Sequence, residues 1–130
     1  MDFDTDINIL YVDDSPTIRE MIESSLMELG YMNIQGAEDG IEALALTTEE
    51  EYDFIITDIN MPNMDGLTLI QKLRNRLDYA STPIMVLTTE WSPQMKRKGR
   101  EVGATSWIVK PFDTELLHNA ILETIKKVND

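Results

Sequence analysis

Four places in this 130-residue chain carry polar residues directly after a short apolar run: Asp13-Asp14, Asp58, Thr88-Thr89 and Lys110-Pro111. A carboxylate in such a position is, taken alone, an ordinary turn residue or helix cap. Their joint appearance is harder to assign to turns, because any fold that aligns the runs places all four endings on one rim. Three carboxylates gathered within several ångströms raise one another's pKa or require a cation. A hard divalent ion resolves that conflict. Mg2+ suits the set because it favours oxygen donors, keeps waters and is commonly held by one or two carboxylates together with phosphate oxygens. Ca2+ suits it less, since no Asp-x-Asp-x-Asp-Gly loop with a glutamate at its twelfth position is present.

The runs that must position these residues are Ile7 to Val12, Phe54 to Thr57, Ile84 to Leu87 and Trp107 to Val109. They are short, mostly β-branched or aromatic and almost unbroken in apolarity, as expected of strands covered on both faces of a parallel sheet. Met32 to Ala37 is weaker and reads as an edge strand. Helical spacing fills the intervals. Ile18, Met21, Ile22, Ser25, Leu26 and Leu29 follow the three-and-four pattern after a Ser15-Pro16 start and stop at Gly30. Ile41 with Leu44 and Ala45, then Leu69, Ile70, Leu73 and Leu77, mark two further helices. Ser92-Pro93 opens a fourth whose interior Gly99 weakens it, and Asp113 begins a fifth through Leu117, Ala120, Ile121, Thr124, Ile125 and Val128. Five β-α units imply right-handed crossovers and a doubly wound parallel sheet, with ligands gathering at the carboxyl ends of its strands.

Composition narrows the classes of function. The hydrophobic fraction of 42% and mean hydropathy of -0.24 describe a globular domain, and the length predicts a single domain over residues 1–130. A formal net charge of -13 argues against nucleic acid, whose affinity rests on Lys and Arg neutralising phosphates. Zero cysteines excludes disulfide scaffolds and thiolate metal sites. The acidic start Met1-Asp2-Phe3-Asp4 lacks the basic, then apolar, character of a secretory signal, and no stretch approaches a membrane span, so the cytoplasm is expected.

Tyr11-Val12-Asp13-Asp14-Ser15, Asp58 through Gly66 (DINMPNMDG), Thr88-Thr89-Glu90 and Lys110-Pro111-Phe112, in that order, resemble the motifs of receiver domains over essentially the whole chain. The resemblance is nearest to single-domain, CheY-like response regulators of the chemotaxis type, and it implies a flavodoxin-like fold with strand order 2-1-3-4-5 and five helices. It further implies that Asp58 is the phosphoacceptor and that Mg2+ is held by Asp14, Asp58 and the Asn60 carbonyl, with Asp13 acting through metal-bound water. Thr88 and Lys110 would contact the phosphoryl group. Asn60 and Glu90 would flank the attacking water and keep the phosphorylated state short-lived. Thr88 and Trp107 would form the switch pair, with Trp where family members often carry Tyr or Phe; Ile59 and Trp91 are further departures that alter access to the site.

The same resemblance implies a sensor histidine kinase as phosphodonor. Output would be protein binding through the fourth helix, fifth strand and fifth helix, for example to a flagellar motor switch protein, with no separate enzymatic turnover. The basic cluster Lys96, Arg97, Lys98 and Arg100 falls on that face. The alternatives are a phosphorelay intermediate serving a histidine phosphotransfer protein, a Mg2+-dependent aspartyl-phosphate phosphatase, whose Asp-x-Asp-x-Thr motif is absent, and a flavodoxin, whose flavin phosphate Asp13-Asp14 would repel.

Overall fold

The computed structural model describes residues 3–129. Its strands are β1 (Ile9–Val12), β2 (Ile34–Ala37), β3 (Phe54–Thr57), β4 (Ile84–Thr88) and β5 (Ser106–Val109), all parallel, in the order β2-β1-β3-β4-β5. Helices α1 (Pro16–Glu28), α2 (Gly40–Glu49), α3 (Gly66–Arg74) and α4 (Pro93–Val102) make the four connections, and α5 (Thr114–Asn129) follows β5. This is the flavodoxin-like arrangement expected from the sequence, with the weak β2 at an edge.

Alternation along the strands divides the core between the two faces of the sheet. Leu10, Val12, Ile55, Ile84 and Val86 pack with Ala43 of α2 and with Leu69, Ile70 and Leu73 of α3. Ile9, Tyr11, Phe54, Ile56, Met85 and Leu87 pack with Ile22 and Leu26 of α1 and with Leu117 and Ile121 of α5. β1, β3 and β4 are buried at every position, which is why they read as continuous apolar runs.

Side-chain caps set the helix starts, at Ser15 and Ser92 where the sequence marks them and at Asp39 and Asp65 where it does not. Ser15 Oγ accepts the Ile18 N–H, Asp39 the Glu42 N–H, Asp65 the Thr68 N–H and Ser92 the Met95 N–H. Two expectations from helical spacing fail. Leu77 lies four residues after Leu73, yet α3 ends at Arg74; Leu77 begins a separate 3-10 turn, Leu77–Tyr79, and is 98% exposed. The Arg76 guanidinium enforces the break by bonding back to Thr47 and forward to Asp78. Ile41, taken as part of the apolar face of α2, is also exposed, because Ala43 and Thr47 are the side chains that α2 turns inward.

Candidate functional site

Register builds the site. Val12 pairs with Thr57 across β1 and β3, so the next residue of each strand, Asp13 and Asp58, emerges side by side at the carboxyl rim. The Asp58 N–H donates to the Val12 carbonyl at 2.9 Å and extends the ladder to the acidic residue itself. Thr88 pairs with Val109, and the Lys110 N–H then donates to the Thr88 carbonyl at 2.8 Å, carrying β5 to the same edge. Asp13 is steadied by the first turn of α1: its Oδ1 accepts the Ser15 N–H at 2.9 Å, and its carbonyl accepts Arg19 Nη1 at 2.7 Å.

Lys110 Nζ lies 2.7 Å from Asp13 Oδ2 and 3.1 Å from Asp58 Oδ2, with side-chain exposures of 10%, 2% and 11% for Lys110, Asp13 and Asp58. Asp14 is exposed, and one carboxylate oxygen from each of Asp13, Asp14 and Asp58 lies within 4.8 Å of the others. Three negative charges and one positive leave a local charge of -2, beside groups that are largely desolvated. Burial pushes the Asp13 carboxyl above the ordinary carboxylate range and the Asp58 charge adds to the rise, against hydrogen bonds from Lys110 and the Ser15 N–H. Burial alone would lower the Lys110 ammonium, but its bonds to the two carboxylates leave it above its usual value. An all-oxygen donor set with two surplus negative charges fits Mg2+, the ion that receiver domains bind at an acidic pocket.

The rise at Asp13 has a signed consequence for stability. A carboxyl whose folded pKa is raised stabilises the fold fully below its unfolded pKa and loses that contribution as pH rises through the folded value. For the carboxyl itself, Asp13→Asn should therefore relieve this penalty in the metal-free protein near neutrality, the gain shrinking as pH falls through the carboxylate range, while the lost charge partner of Lys110 acts against it. Urea unfolding in chelator across that range measures it.

The other predicted residues form a second, bonded group on the same rim. Asn60 Nδ2 donates to Glu90 Oε1 at 3.0 Å, bringing together two side chains thirty residues apart. The Glu90 N–H donates to Thr88 Oγ1 at 3.3 Å, and the Glu90 carbonyl accepts the Trp107 indole N–H at 2.9 Å. Thr88 and Trp107 are thus connected through the backbone of Glu90. The indole, which needs a partner when desolvated, has one. Ile59 is 2% exposed and packs in the core with Leu69 and Ile70. Trp91 is exposed in the loop after β4.

Sequence reasoning passed over the residues that hold the loop after β3. The Gly66 N–H donates to the Ile59 carbonyl at 2.9 Å, and a Cβ at Gly66 would collide with the Asp58 carbonyl oxygen. Asn63, at φ 67°, donates to Asp39 Oδ2 at 2.7 Å, and the Gly40 N–H bonds the Met64 carbonyl at 3.3 Å. The Asp-Gly pair at Asp65-Gly66 was the available signal for a close approach; Arg19, one of several charged residues on an amphipathic helix, offered none.

The response regulator receiver domain family profile matches residues 9–122. The chain is 37% identical over 120 residues to the chemotaxis protein CheY homolog of Campylobacter jejuni, covering 92% of each. It is 34% identical over 111 residues to chemotaxis protein CheY-3 of Vibrio cholerae, covering 85% of each. The solved structure of the chemotaxis response regulator CheY4 of Vibrio cholerae superposes with a TM-score of 0.87 at 43% identity, over 92% of this chain and 98% of that one. No helix among the described residues is long and apolar enough to cross a membrane. On motif order, strand order and this likeness along nearly its full length, the chain belongs to the response regulator receiver family and is CheY-like.

Proposed function

We propose that residues 1–130 act as one cytoplasmic receiver domain that takes a phosphoryl group on Asp58 in a Mg2+-dependent reaction and signals, in chemotaxis, by changing which protein it binds. The observation that carries this reading is the Lys110 ammonium bridging Asp13 and Asp58 beside Asp14. A buried carboxylate held between a lysine and two further acids is positioned to receive a phosphoryl group and is poorly explained as a helix cap.

Asp13, Asp14, Asp58 and the Asn60 carbonyl would hold Mg2+, which when bound supplies positive charge to the transferring phosphoryl oxygens. The Asp58 carboxylate oxygen attacks phosphorus as the bond from phosphorus to the histidine nitrogen of a sensor kinase breaks, and the electron pair of that bond leaves on the imidazole. Lys110, already on Asp58 Oδ2, remains with the transferred group. Thr88 Oγ1 accepts the Glu90 N–H, and none of the described residues takes its hydroxyl proton, so Thr88 can donate to the new oxygens. Replacing a carboxylate by an acyl phosphate adds roughly one negative charge, which draws Thr88 and the loop after β4 inward.

Output through α4, β5 and α5 is supported by a cleft of about 230 Å³ lined by Lys96, Arg100, Trp107 and Lys127. Three cations around an indole, in a chain of net charge -13, suit an acidic target segment with an apolar anchor, as a flagellar motor switch protein would have to present.

Incubation with Mg2+ and acetyl phosphate, then mass mapping, tests the reading: one phosphoryl group should appear on Asp58 and none in chelator. A label elsewhere, or none, overturns it. Binding to the folded state alone should also raise the melting temperature. At Mg2+ a hundredfold above its Kd the gain is about 2.7 kcal/mol, on the order of 10 °C for a domain of this size, and Asp14→Ala should remove most of it.

A further inference from the structure

Gly99 sits in the middle of α4, buried, where glycine costs about 1 kcal/mol against alanine. The structure explains its presence. A Cβ there would lie 2.5 Å from Cζ3 and 2.8 Å from Cε3 of Trp107. Gly99 is a notch in the underside of α4 into which the six-membered part of the indole fits, and the ring packs from there against the core. Seated this way, the indole directs its N–H at the Glu90 carbonyl, 2.9 Å away. Phenylalanine could fill the same notch but has no donor for that carbonyl.

Glu90 is consequently fixed at three points. Its N–H is on Thr88, its carbonyl is on Trp107 and its carboxylate is on Asn60. The first two bonds hold the backbone from which the third projects. Without the bond to Trp107, the loop after β4 keeps only the 3.3 Å contact to Thr88 as a side-chain anchor for the Glu90 backbone.

We propose that Trp107, seated in the Gly99 notch, is a positioning residue for loss of the phosphoryl group: by holding the Glu90 carbonyl it keeps the Glu90 carboxylate and the Asn60 amide where they orient the attacking water. This rests on Asp58 being the acceptor. In that step the water oxygen bonds phosphorus while the bond from phosphorus to the Asp58 carboxyl oxygen breaks. Both water protons leave on the phosphate as H2PO4−, and Asp58 regains its carboxylate. Trp107 touches neither water nor phosphorus; it acts through Glu90. Loosening Glu90 reduces the fraction of time in which the water is aligned, so decay slows.

Decay of the phosphorylated protein, formed with acetyl phosphate and then freed of donor, is measured in wild type, Trp107→Phe, Glu90→Ala and the double variant. Trp107→Phe should slow decay by about threefold to tenfold, yet by less than about twofold when Glu90 is already alanine, because coupled residues are not additive. Gly99→Ala, whose methyl drives the ring from its notch, should reproduce the slowing and the same dependence on Glu90, and serves if Trp107→Phe does not fold. A purely structural role for the indole would give equal factors in both backgrounds, and that result overturns the proposal, as does an unchanged decay rate in both Trp107→Phe and Gly99→Ala. If wild type takes no label on Asp58, the acceptor assignment fails and this proposal with it; label that decays independently of Trp107 defeats this proposal alone.

Discussion

Lys110→Ala should bind Mg2+ at least as tightly as wild type and yet acquire its phosphoryl group about 10²-fold to 10³-fold more slowly, a loss of roughly 3–4 kcal/mol of transition-state stabilisation. The two effects have opposite signs for one reason. Removing the ammonium takes the local charge from -2 to -3, which strengthens attraction for a cation. The same removal strips the positive group 3.1 Å from Asp58 Oδ2 that would follow the phosphoryl oxygens during transfer. Fluorescence or calorimetric titration with Mg2+, alongside timed labelling with acetyl phosphate, separates the two. Weaker metal binding with an undiminished labelling rate would contradict the role given to Lys110. Asp58→Asn is the companion control, and it should take no label on this residue at all.

Gly66→Ala should be among the most damaging single-methyl changes in the chain, costing about 3 kcal/mol or more and lowering phosphorylation with it. The added Cβ would collide with a carbonyl oxygen, that of Asp58, and would approach Ile59 Cα to 3.0 Å. Backbone cannot give way as a flexible side chain can. Relief requires α3 to back away or the acceptor residue to shift, and the bond from the Gly66 N–H to the Ile59 carbonyl opposes the first. By contrast, Gly36→Ala meets the far edge of the Tyr11 ring, a side chain that can turn aside where backbone cannot, and should be tolerated better. Urea denaturation of both variants, with labelling rates on the folded fraction, checks the ranking.

The strands and the acidic rim were legible from the residues because both depend on local chemistry. Strands buried on two faces are apolar along most of their length, as Ile55, Val86 and their neighbours show, with polar Thr57 and Thr88 only at the carboxyl ends. A polar residue directly after such a run falls at the sheet's edge, which is how Asp13, Asp58, Thr88 and Lys110 were found. What escaped depends on partners distant in the chain. Leu77 satisfied helical spacing, but the Arg76 bonds to Thr47, twenty-nine residues away, ended the helix first. Gly99 looked like a weakness in α4 because the indole that fills its place lies on another element. The acceptor for Trp107 is a backbone carbonyl, which carries no residue identity for a pattern to reveal. A proposed ion or partner protein lies outside the chain and would enter its sequence only as the shape and charge left to receive it.

The two flanks of the rim are built unequally. On the α2 side, Gly66, Asn63 and Met64 are each bonded to fixed backbone or to Asp39, so the loop that carries the proposed acceptor has nowhere to go. On the α4 side, a few bonds to one residue do the holding. Extra charge arriving between them would therefore spend its force in one direction only. A protein that reads the α4 flank would meet two different surfaces before and after, whereas one that approaches over α2 would find the same landscape each time.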